Sequence, residues 1–338
     1  MPVTRVLRLR SENRREVAEE VARVLEWGGL AVLPTETVYG VAAKLSIERA
    51  VERVFVVKNR PREPLTVHFA KLEHVEDLVD DPEPLYRVWG RLWPGPVTLI
   101  LRASSSTPRV ATAGLPCVGL RAPAHPLTEE VLSIAGPCVM PSANLSGRPS
   151  PLTGFDALIE MFGRVEIAVD AGPCAEGLES TIVDLCRDPP RVLRLGPIGL
   201  SDIESVLGRP VEISERALGI GTRPRYRVSA PLLLVEGDPS SPSYHRAVAE
   251  IIERLSRSGK KVAILCRSSR ASYYSQLGAI ALPLGDNELD AARRLYENLR
   301  RAESLAVDII VAESWGNRGL GLAITSRLRN AATEIVRV

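Results

Sequence analysis

Hydrophobic positions recur with helical spacing early in the chain and then give way to a short apolar run. Residues 12–27 predict a helix whose inner stripe is formed by Val17, Val21, Val24 and Leu25. Gly28 and Gly29 end this helix, and residues 30–33 (LAVL) then predict a buried strand. Ser46 can cap a second helix, which Pro61 cannot continue. The pattern therefore predicts helix, strand and helix before residue 61.

Short β-type runs dominate the next part of the chain. They are PLTVHFA (64–70), PVTLILR (96–102), CVGLR (117–121), CVMPS (138–142), EIAVDAG (166–172), STIVDL (180–185) and RVLRLG (191–196). Helical patterns fall between several of them, for example at 126–135 and 153–162. This irregular alternation predicts a twisted mixed sheet with helices, and not a strict βαβ repeat.

The composition changes near residues 214–231, where glycine, proline and arginine accumulate and apolar periodicity fades. Beyond this stretch, five apolar runs alternate with helical segments near 243–258, 288–304 and 320–331, which predicts a small parallel α/β domain of Rossmann type. A chain of 338 residues is also long for one hydrophobic core. We therefore expect an N-terminal domain over 1–213, a linker over 214–230 and a C-terminal domain over 231–338.

Charge and composition narrow the classes of function. The net charge of +2 gives no support to a protein coated in nucleic acid. No apolar run approaches the ~20 residues that span a bilayer, and the N-terminus lacks the apolar core of a signal peptide. The cysteines are odd in number and contain no CxxC pair, which fits a reducing interior and argues against a zinc ribbon. The sequence therefore predicts a cytoplasmic protein without a membrane partner.

Phosphate-binding signatures are absent or weak. The chain has no GxxxxGK[ST] loop. Residues 316–323 (GNRGLGLA) contain a GxG at Gly319 and Gly321, but Ile324 stands where a third glycine is expected. Loop or helix-packing glycines explain this stretch better than a dinucleotide site.

Polar loops follow several predicted strands. Residues 34–40 (PTETVYG) fit either a small polar ligand or plain turn chemistry. Lys58 and Arg60, in KNR, fit either phosphate oxygens or cationic capping of a helix end. His68 lies inside a predicted strand, where a satisfied core histidine is the simpler interpretation. Taken singly these loops decide nothing, but together they suggest an anionic ligand spread over several strand ends.

An ordered series of motifs carries a resemblance. LPTETVYGVAA, KNRP…PLTVHFA, WPGPVTLIL, VGLRAPAHP, PSANLSG, ESTIVD and VLRLGPI together resemble the YrdC-like threonylcarbamoyl-AMP synthase family over residues 14–213. The remainder, which ends in NRGLGLAITSRLRNAA, looks like the additional C-terminal domain of the long members. The resemblance implies synthesis of threonylcarbamoyl-AMP and pyrophosphate from L-threonine, bicarbonate or CO2, and ATP with Mg²⁺. A separate transferase complex would then modify tRNA, which this chain would meet only indirectly.

The resemblance also implies the site residues. The threonine end would consist of Thr35, His68, Arg121 and Ser180. The nucleotide end would consist of Lys58, Arg60, Cys117, Ser142, Asn144, Ser150, Arg194 and Tyr226, with Lys58 and Arg60 nearest the phosphates and catalytic. Both cations are expected to be exposed, so that replacing them would leave the fold intact.

Two departures from the family pattern concern the nucleotide end. The segment after Arg60 is one residue shorter than is usual, which leaves the role of Arg62 open. The usual HYAP is VSAP at 228–231, so the closing tyrosine is absent there and Tyr226 is the nearest substitute.

Two other functions compete with the synthase. An RNA-binding factor would use the same concave basic face, although 4% aromatic residues offer few stacking platforms. The carbamoyl-adenylating enzyme of hydrogenase maturation would add acylphosphatase and zinc-finger segments, for which this chain has neither the CxxC pairs nor the length.

Overall fold

The computed structural model describes residues 2–220, 228 and 230–338. The chain divides into two compact units, which are residues 1–146 with 150–214 and residues 147–149 with 215–338. Within the described part, the first unit contains a mixed sheet of eleven strands and the second a parallel sheet of five. This confirms the predicted α/β class with a mixed sheet followed by a parallel, Rossmann-like one.

The first unit is built from short strands and helices. Its strands are β1 (Arg5–Arg8), β2 (Ala31–Leu33), β3 (Gly40–Lys44), β4 (Thr66–His68), β5 (Val97–Arg102), β6 (Cys117–Arg121), β7 (Cys138–Val139), β8 (Ile167–Asp170), β9 (Thr181–Asp184), β10 (Arg191–Arg194) and β11 (Glu212–Ile213). Its helices are α1 (Arg14–Glu26), α2 (Glu48–Val57), α3 (Glu83–Val88), α4 (Arg109–Thr112), α5 (Pro126–Ala135), α6 (Gly154–Met161) and α7 (Leu200–Leu207). The strand order is β1-β8-β2-β3-β7-β4-β6-β5-β9-β10-β11.

The pairing in the middle of this sheet brings the predicted motifs together. Strand β4 runs parallel to β6 and antiparallel to β7, while β5 runs antiparallel to β6 and parallel to β9. Helices α1 and α5 cover the sheet with an apolar cluster that includes Leu25, Val131 and Ile167. Motifs that are up to about 160 residues apart in sequence therefore meet on one sheet.

The second unit alternates strand and helix. Its strands are β12 (Leu232–Glu236), β13 (Val262–Cys266), β14 (Ile280–Pro283), β15 (Ile309–Glu313) and β16 (Glu334–Arg337), in the order β14-β13-β15-β12-β16. Its helices are α8 (Glu215–Leu218), α9 (Pro242–Arg257), α10 (Ala271–Gln276), α11 (Glu288–Ser304) and α12 (Gly319–Ala331). Helix α8 lies inside the predicted linker and hydrogen-bonds to α12 through Ser326. The domain boundaries drawn from the sequence stay a prediction.

Two findings differ from the sequence interpretation. The pattern analysis missed β1, β3 and β11; in β3, Gly-Val-Ala-Ala-Lys has little of the β-branched character that marks a strand. Cys117 and Cys186 form a disulfide, which the expectation of a reducing interior did not anticipate, while Cys138, Cys174 and Cys266 are free and buried.

Within the described ranges, no helix is both long and apolar enough to cross a membrane.

Gly196 illustrates how tightly the chain packs beside β9. A Cβ at this position would lie 2.4 Å from the backbone nitrogen of Thr181 and 2.5 Å from the carbonyl of Glu179. A Cβ at Gly199 would meet Asp202 at an ordinary 3.6 Å. We expect Gly196→Ala to lower the free energy of unfolding by about 1–3 kcal/mol through overpacking. Gly199→Ala, the matched control at a helix N-cap, should cost only about 0.5 kcal/mol.

Urea unfolding of the two variants measures this difference. If Gly196→Ala and Gly199→Ala lower the free energy of unfolding by the same amount, the packing argument is contradicted.

Candidate active site

A row of polar side chains crosses the middle of the mixed sheet at one end of its strands. His68 of β4 is the register partner of Arg121 of β6. In the next strand, β5, the hydroxyl of Thr98 lies 2.8 Å from that of Ser180, which immediately precedes β9. Arg194 of β10 donates to the Ser180 hydroxyl and carbonyl, at 2.9 Å each. The structure therefore brings His68, Arg121, Ser180 and Arg194 into one row.

The loop between β2 and β3 closes over this row. Arg121 donates from Nη2 to Glu36 Oε1 at 2.7 Å and to the Thr37 hydroxyl at 2.8 Å. The second oxygen of Glu36 accepts from the backbone nitrogen of Ala124 at 3.1 Å. Thr35 accepts from the backbone nitrogen of Thr37 at 3.1 Å, which shapes the turn. Because Arg121 and Glu36 are both buried, this ion pair fixes the guanidinium rigidly beside His68.

His68 is held neutral by its surroundings. Burial, together with the charges of Arg121 and Arg194, lowers its pKa to about 3. Its Nδ1 lies 3.2 Å from the carbonyl of Thr66, which can only accept, so this contact requires the proton on Nδ1. The Nε2 atom of that tautomer is an acceptor. His68 can therefore accept a hydrogen bond from a ligand without adding positive charge.

The sheet face beside the row is open. Thr66, Ile100 and Gly119 are register partners on neighbouring strands, and all three are half-buried. Gly119 has no side chain to cover the face, and even an added Cβ would make only ordinary contacts, 3.5 Å from Thr66 and 3.6 Å from Thr98. A ligand can therefore lie along β4 and β6 with one end against His68 and Arg121.

Lys58 organises a second cluster at the end of α2. Its ammonium donates to the carbonyls of Ser142 and of Asn144, the latter at 2.6 Å. The backbone nitrogen of Ser146 in turn donates to the Lys58 carbonyl at 2.9 Å. Lys58 is the C-cap residue of α2, but its side chain reaches the 142–144 loop instead of the last helical carbonyls. The helix-capping interpretation therefore does not describe the Lys58 side chain.

The Lys58 side chain is also buried, which corrects the expectation that it is exposed. Only 2% of the residue is accessible to solvent. Burial, together with the charge of Arg60, lowers its pKa to about 7, and the charge of Glu160 partly opposes this shift. A buried amine with this pKa changes charge readily when an anion approaches.

Arg60 and Arg62 differ sharply although they are two residues apart. Arg60 donates to Glu63 at 2.9 Å, and its Nε is buried without a hydrogen-bond partner in the described structure. Arg62 is 73% exposed and pairs with Glu52 of α2 at 2.6 Å. Arg60 therefore retains donor capacity near Lys58, whereas Arg62 lies on the surface.

The remaining predicted residues are placed less clearly. Ser150 donates to Glu179 at 2.7 Å, and both residues are buried. Glu179 is the residue before Ser180 in the chain. Cys117 lies at the opposite end of β6 from Arg121, about 13 Å away along the strand, and is bonded to Cys186. Tyr226 lies outside the described residues.

Sequence reasoning missed three polar groups of this site. Thr98 is buried in the apolar strand β5, Glu179 holds Ser150, and Glu160 of α6 lies near Lys58. Thr98 could have been found, because it is a hydroxyl residue inside the otherwise apolar run PVTLILR. A polar group buried in such a strand needs a hydrogen-bond partner. No comparable signal marked Glu160, which stands in a helical pattern.

Family models and relatives match the chain along nearly its whole length. A model for the Sua5, YciO and YrdC proteins, described as "Telomere recombination", matches residues 23–196. A second model, described as "Threonylcarbamoyl-AMP synthase, C-terminal domain", matches residues 198–333.

Two relatives named threonylcarbamoyl-AMP synthase are similar to the chain. The one from Pyrococcus abyssi is 37% identical and covers 95% of this chain and 96% of its own length. The one from Bacillus subtilis is 35% identical, with coverages of 95% and 94%. A crystal structure of P. abyssi Sua5 complexed with L-threonine superposes with a TM-score of 0.90 at 34% identity, covering 99% of this chain and 100% of that one. The chain therefore belongs to the threonylcarbamoyl-AMP synthase family, in its long form with an additional C-terminal domain.

Proposed function

We propose that this chain is an L-threonylcarbamoyladenylate synthase, a nucleotidyltransferase that makes threonylcarbamoyl-AMP and pyrophosphate from L-threonine, bicarbonate or CO2, and ATP. The observation that carries the proposal is the row of His68, Arg121, Ser180 and Arg194 on an open sheet face. It occurs in a chain similar over 95% of its length to proteins named threonylcarbamoyl-AMP synthase.

Threonine fits the end of the face that holds Arg121. Its carboxylate needs a fixed cation, which Arg121 supplies, and Glu36 and Thr37 hold that guanidinium in place. Its ammonium or hydroxyl group needs a neutral acceptor, which His68 supplies through Nε2. The hydroxyls of Thr35 and Ser180 complete this proposed end.

ATP fits the cluster that Lys58 forms with the 142–144 loop. Lys58 and Arg60 would bind the phosphates, and Arg194, which donates to Ser180, would also face the nucleotide. Other predicted nucleotide contacts are Cys117, Ser142, Asn144, Ser150 and Tyr226. The 142–144 loop is suited to this task because Lys58 already ties its carbonyls in place.

The proposed chemistry proceeds in two steps. The threonine amine first adds to CO2 and loses a proton, or displaces the hydroxyl of bicarbonate, which leaves with that proton as water; either route gives a carbamate. A carbamate oxygen then attacks the α-phosphorus of ATP, the bond from that phosphorus to the bridging oxygen breaks, and pyrophosphate leaves with the electron pair. Lys58 and Arg60 would stabilise the charge that builds on the leaving group, without a covalent enzyme intermediate.

The expected Mg²⁺ is assigned to the nucleotide substrate and not to a protein-held centre. Among the described residues, no group of three or more histidine, cysteine, aspartate and glutamate side chains could hold a metal ion. No step of the proposed mechanism is routed through a protein-held metal.

The product is a reactive mixed anhydride, so we propose that a separate threonylcarbamoyl transferase complex consumes it in the cytoplasm during tRNA modification. The near-neutral charge of +2 fits a protein that meets tRNA only indirectly. An RNA-binding factor and a hydrogenase-maturation enzyme are not favoured, because the named relatives are synthases.

Substrate omission tests the function directly. We expect pyrophosphate release only when ATP, L-threonine and bicarbonate are all present, with threonylcarbamoyl-AMP detected by mass spectrometry. Pyrophosphate release at the same rate without threonine would overturn the assigned substrate.

Replacing Lys58 by a neutral residue of similar length tests the phosphate cluster. We expect Lys58→Met to reduce turnover by at least about 100-fold, because a charge that faces the leaving group is lost. Arg62→Met is the matched control, since Arg62 is exposed and pairs only with Glu52 in the described structure; its turnover should stay within about twofold of the unsubstituted protein. Circular dichroism checks that both variants are folded. Similar rates in Lys58→Met and the unsubstituted protein would remove Lys58 from the mechanism.

The pKa of Lys58 predicts how ATP binding depends on pH. In the free protein this pKa is about 7, and the triphosphate raises it because it favours the ammonium form. Between the two pKa values the complex holds more protons than the free protein, so binding takes up protons and weakens as the pH rises. Above pH 8 the affinity should fall up to about tenfold per pH unit.

Calorimetry in two buffers of different ionisation enthalpy measures this proton uptake. It should approach one proton at pH 8 to 9 and disappear in Lys58→Met. An affinity that does not change with pH in the unsubstituted protein would contradict the linkage.

A further inference from the structure

The described strands contain two glycines, and packing explains one of them. A Cβ at Gly40, the first residue of β3, would lie 2.6 Å from the Met140 side chain and 3.2 Å from the Pro141 carbonyl, so a larger residue does not fit there. Gly119, the middle residue of β6, would gain only ordinary contacts from a Cβ, and its φ is not in the left-handed range. The fold therefore tolerates a side chain at Gly119.

A glycine at the position of Gly119 weakens the sheet. Strand β6 lies between β4 and β5 and is hydrogen-bonded to both. Glycine is among the least favourable residues inside a strand, because it has no side chain to pack and loses much conformational freedom on folding. It often marks a place where a ligand or another backbone comes close. The three atoms nearest to an added Cβ belong to Thr66 and Thr98 of the neighbouring strands, which leaves contact with a ligand as the reason for this glycine.

The proposed threonine contacts lie further along the same face. The register partner of Gly119 on β4 is Thr66, and two residues further along the two strands are Arg121 and His68, about 7 Å away. Side chains two residues apart in a strand point to the same face of the sheet. The open face at Gly119 therefore continues to His68 and Arg121.

The 142–144 loop, which Lys58 holds, lies in the opposite direction along the strands. Strand β7 runs antiparallel to β4 and begins opposite His68. After β7, the backbone nitrogen of Met140 donates to the Thr66 carbonyl at 3.2 Å, and the chain continues away from His68 into the loop. The Lys58 cluster and His68 therefore lie on opposite sides of the level of Thr66 and its partner in β6.

We propose that the reacting part of the substrates, the carbamate and the α-phosphate of ATP, lies directly on the backbone of Gly119. The inference rests on the proposed function, in which Arg121 binds the threonine carboxylate and Lys58 binds phosphates. The carbamate and the α-phosphate connect these two ends, so they cross the sheet at the level of Gly119. A methyl group at this position would push them away from the sheet while both ends stay held.

Gly119→Ala separates this role from a structural one. We expect kcat to fall at least about tenfold, because a displacement of about 1 Å at the reacting atoms can cost about 100-fold in rate. The urea midpoint should not fall, since the added Cβ makes only ordinary contacts within the protein. The dissociation constant for L-threonine, measured by calorimetry without ATP, should change less than about threefold, because Arg121 keeps its place.

Two further variants grade and control the effect. Gly119→Val should lower kcat further than Gly119→Ala, because its side chain covers more of the face. Gly199→Ala is the matched control, since it adds the same methyl group with an ordinary nearest contact of 3.6 Å at the N-cap of α7. Its kcat should stay within about twofold of that of the unsubstituted protein.

Threonine-dependent pyrophosphate release by the unsubstituted protein is measured first, and its absence would overturn the proposed function and this inference with it. If that activity is present, an unchanged kcat in Gly119→Ala would overturn the inference alone. A lower urea midpoint of Gly119→Ala would mean that the glycine serves packing. A loss of threonine affinity as large as the loss of kcat would place the amino acid itself on Gly119. Either of these two results would also overturn the inference.

Discussion

The buried ion pair between Arg121 and Glu36 is the interaction on which the site depends. It joins the end of β6 to the loop between β2 and β3, and it places a cation beside neutral His68. Charges this deeply buried are costly unless each is hydrogen-bonded, and Thr37 and Ala124 supply the further bonds. A rigid guanidinium of this kind recognises a carboxylate by position, because it does not have to reorganise when the ligand arrives.

Lys58 differs from the Arg121–Glu36 pair in how its charge is established. It is buried and bonded to carbonyls, but with a pKa of about 7 it is only partly charged in the free protein. The proposed phosphate end of the site therefore gains its full charge only when an anion is present, whereas the proposed threonine end is charged in advance. Arg60, whose Nε has no described partner, keeps a permanent charge beside it.

Much of this molecule was predictable from local pattern. Helices α5 and α11 begin and end at the predicted residues, because their apolar stripes and N-terminal signals are clear. Ordered motifs singled out His68, Arg121 and Ser180 for one end of the site and Arg194 for the other, and the fold places all four in one row. Strand β3 was missed, the burial of Lys58 was not foreseen, and the disulfide between Cys117 and Cys186 joins residues separated by 69 positions. Each of these depends on contacts between distant segments.

The sequence by itself determined the types of element, the division into a mixed and a parallel sheet, and the residue types of the site. These follow from periodicity and motif order, which are local properties of the chain. Only the tertiary structure decided which groups are paired, which are neutral and which lie exposed, since burial and charge come from neighbours far away in sequence. Arg60 and Arg62 show the difference. They are the same type of residue two positions apart, but the fold places Arg60 beside Lys58 and Arg62 in solvent.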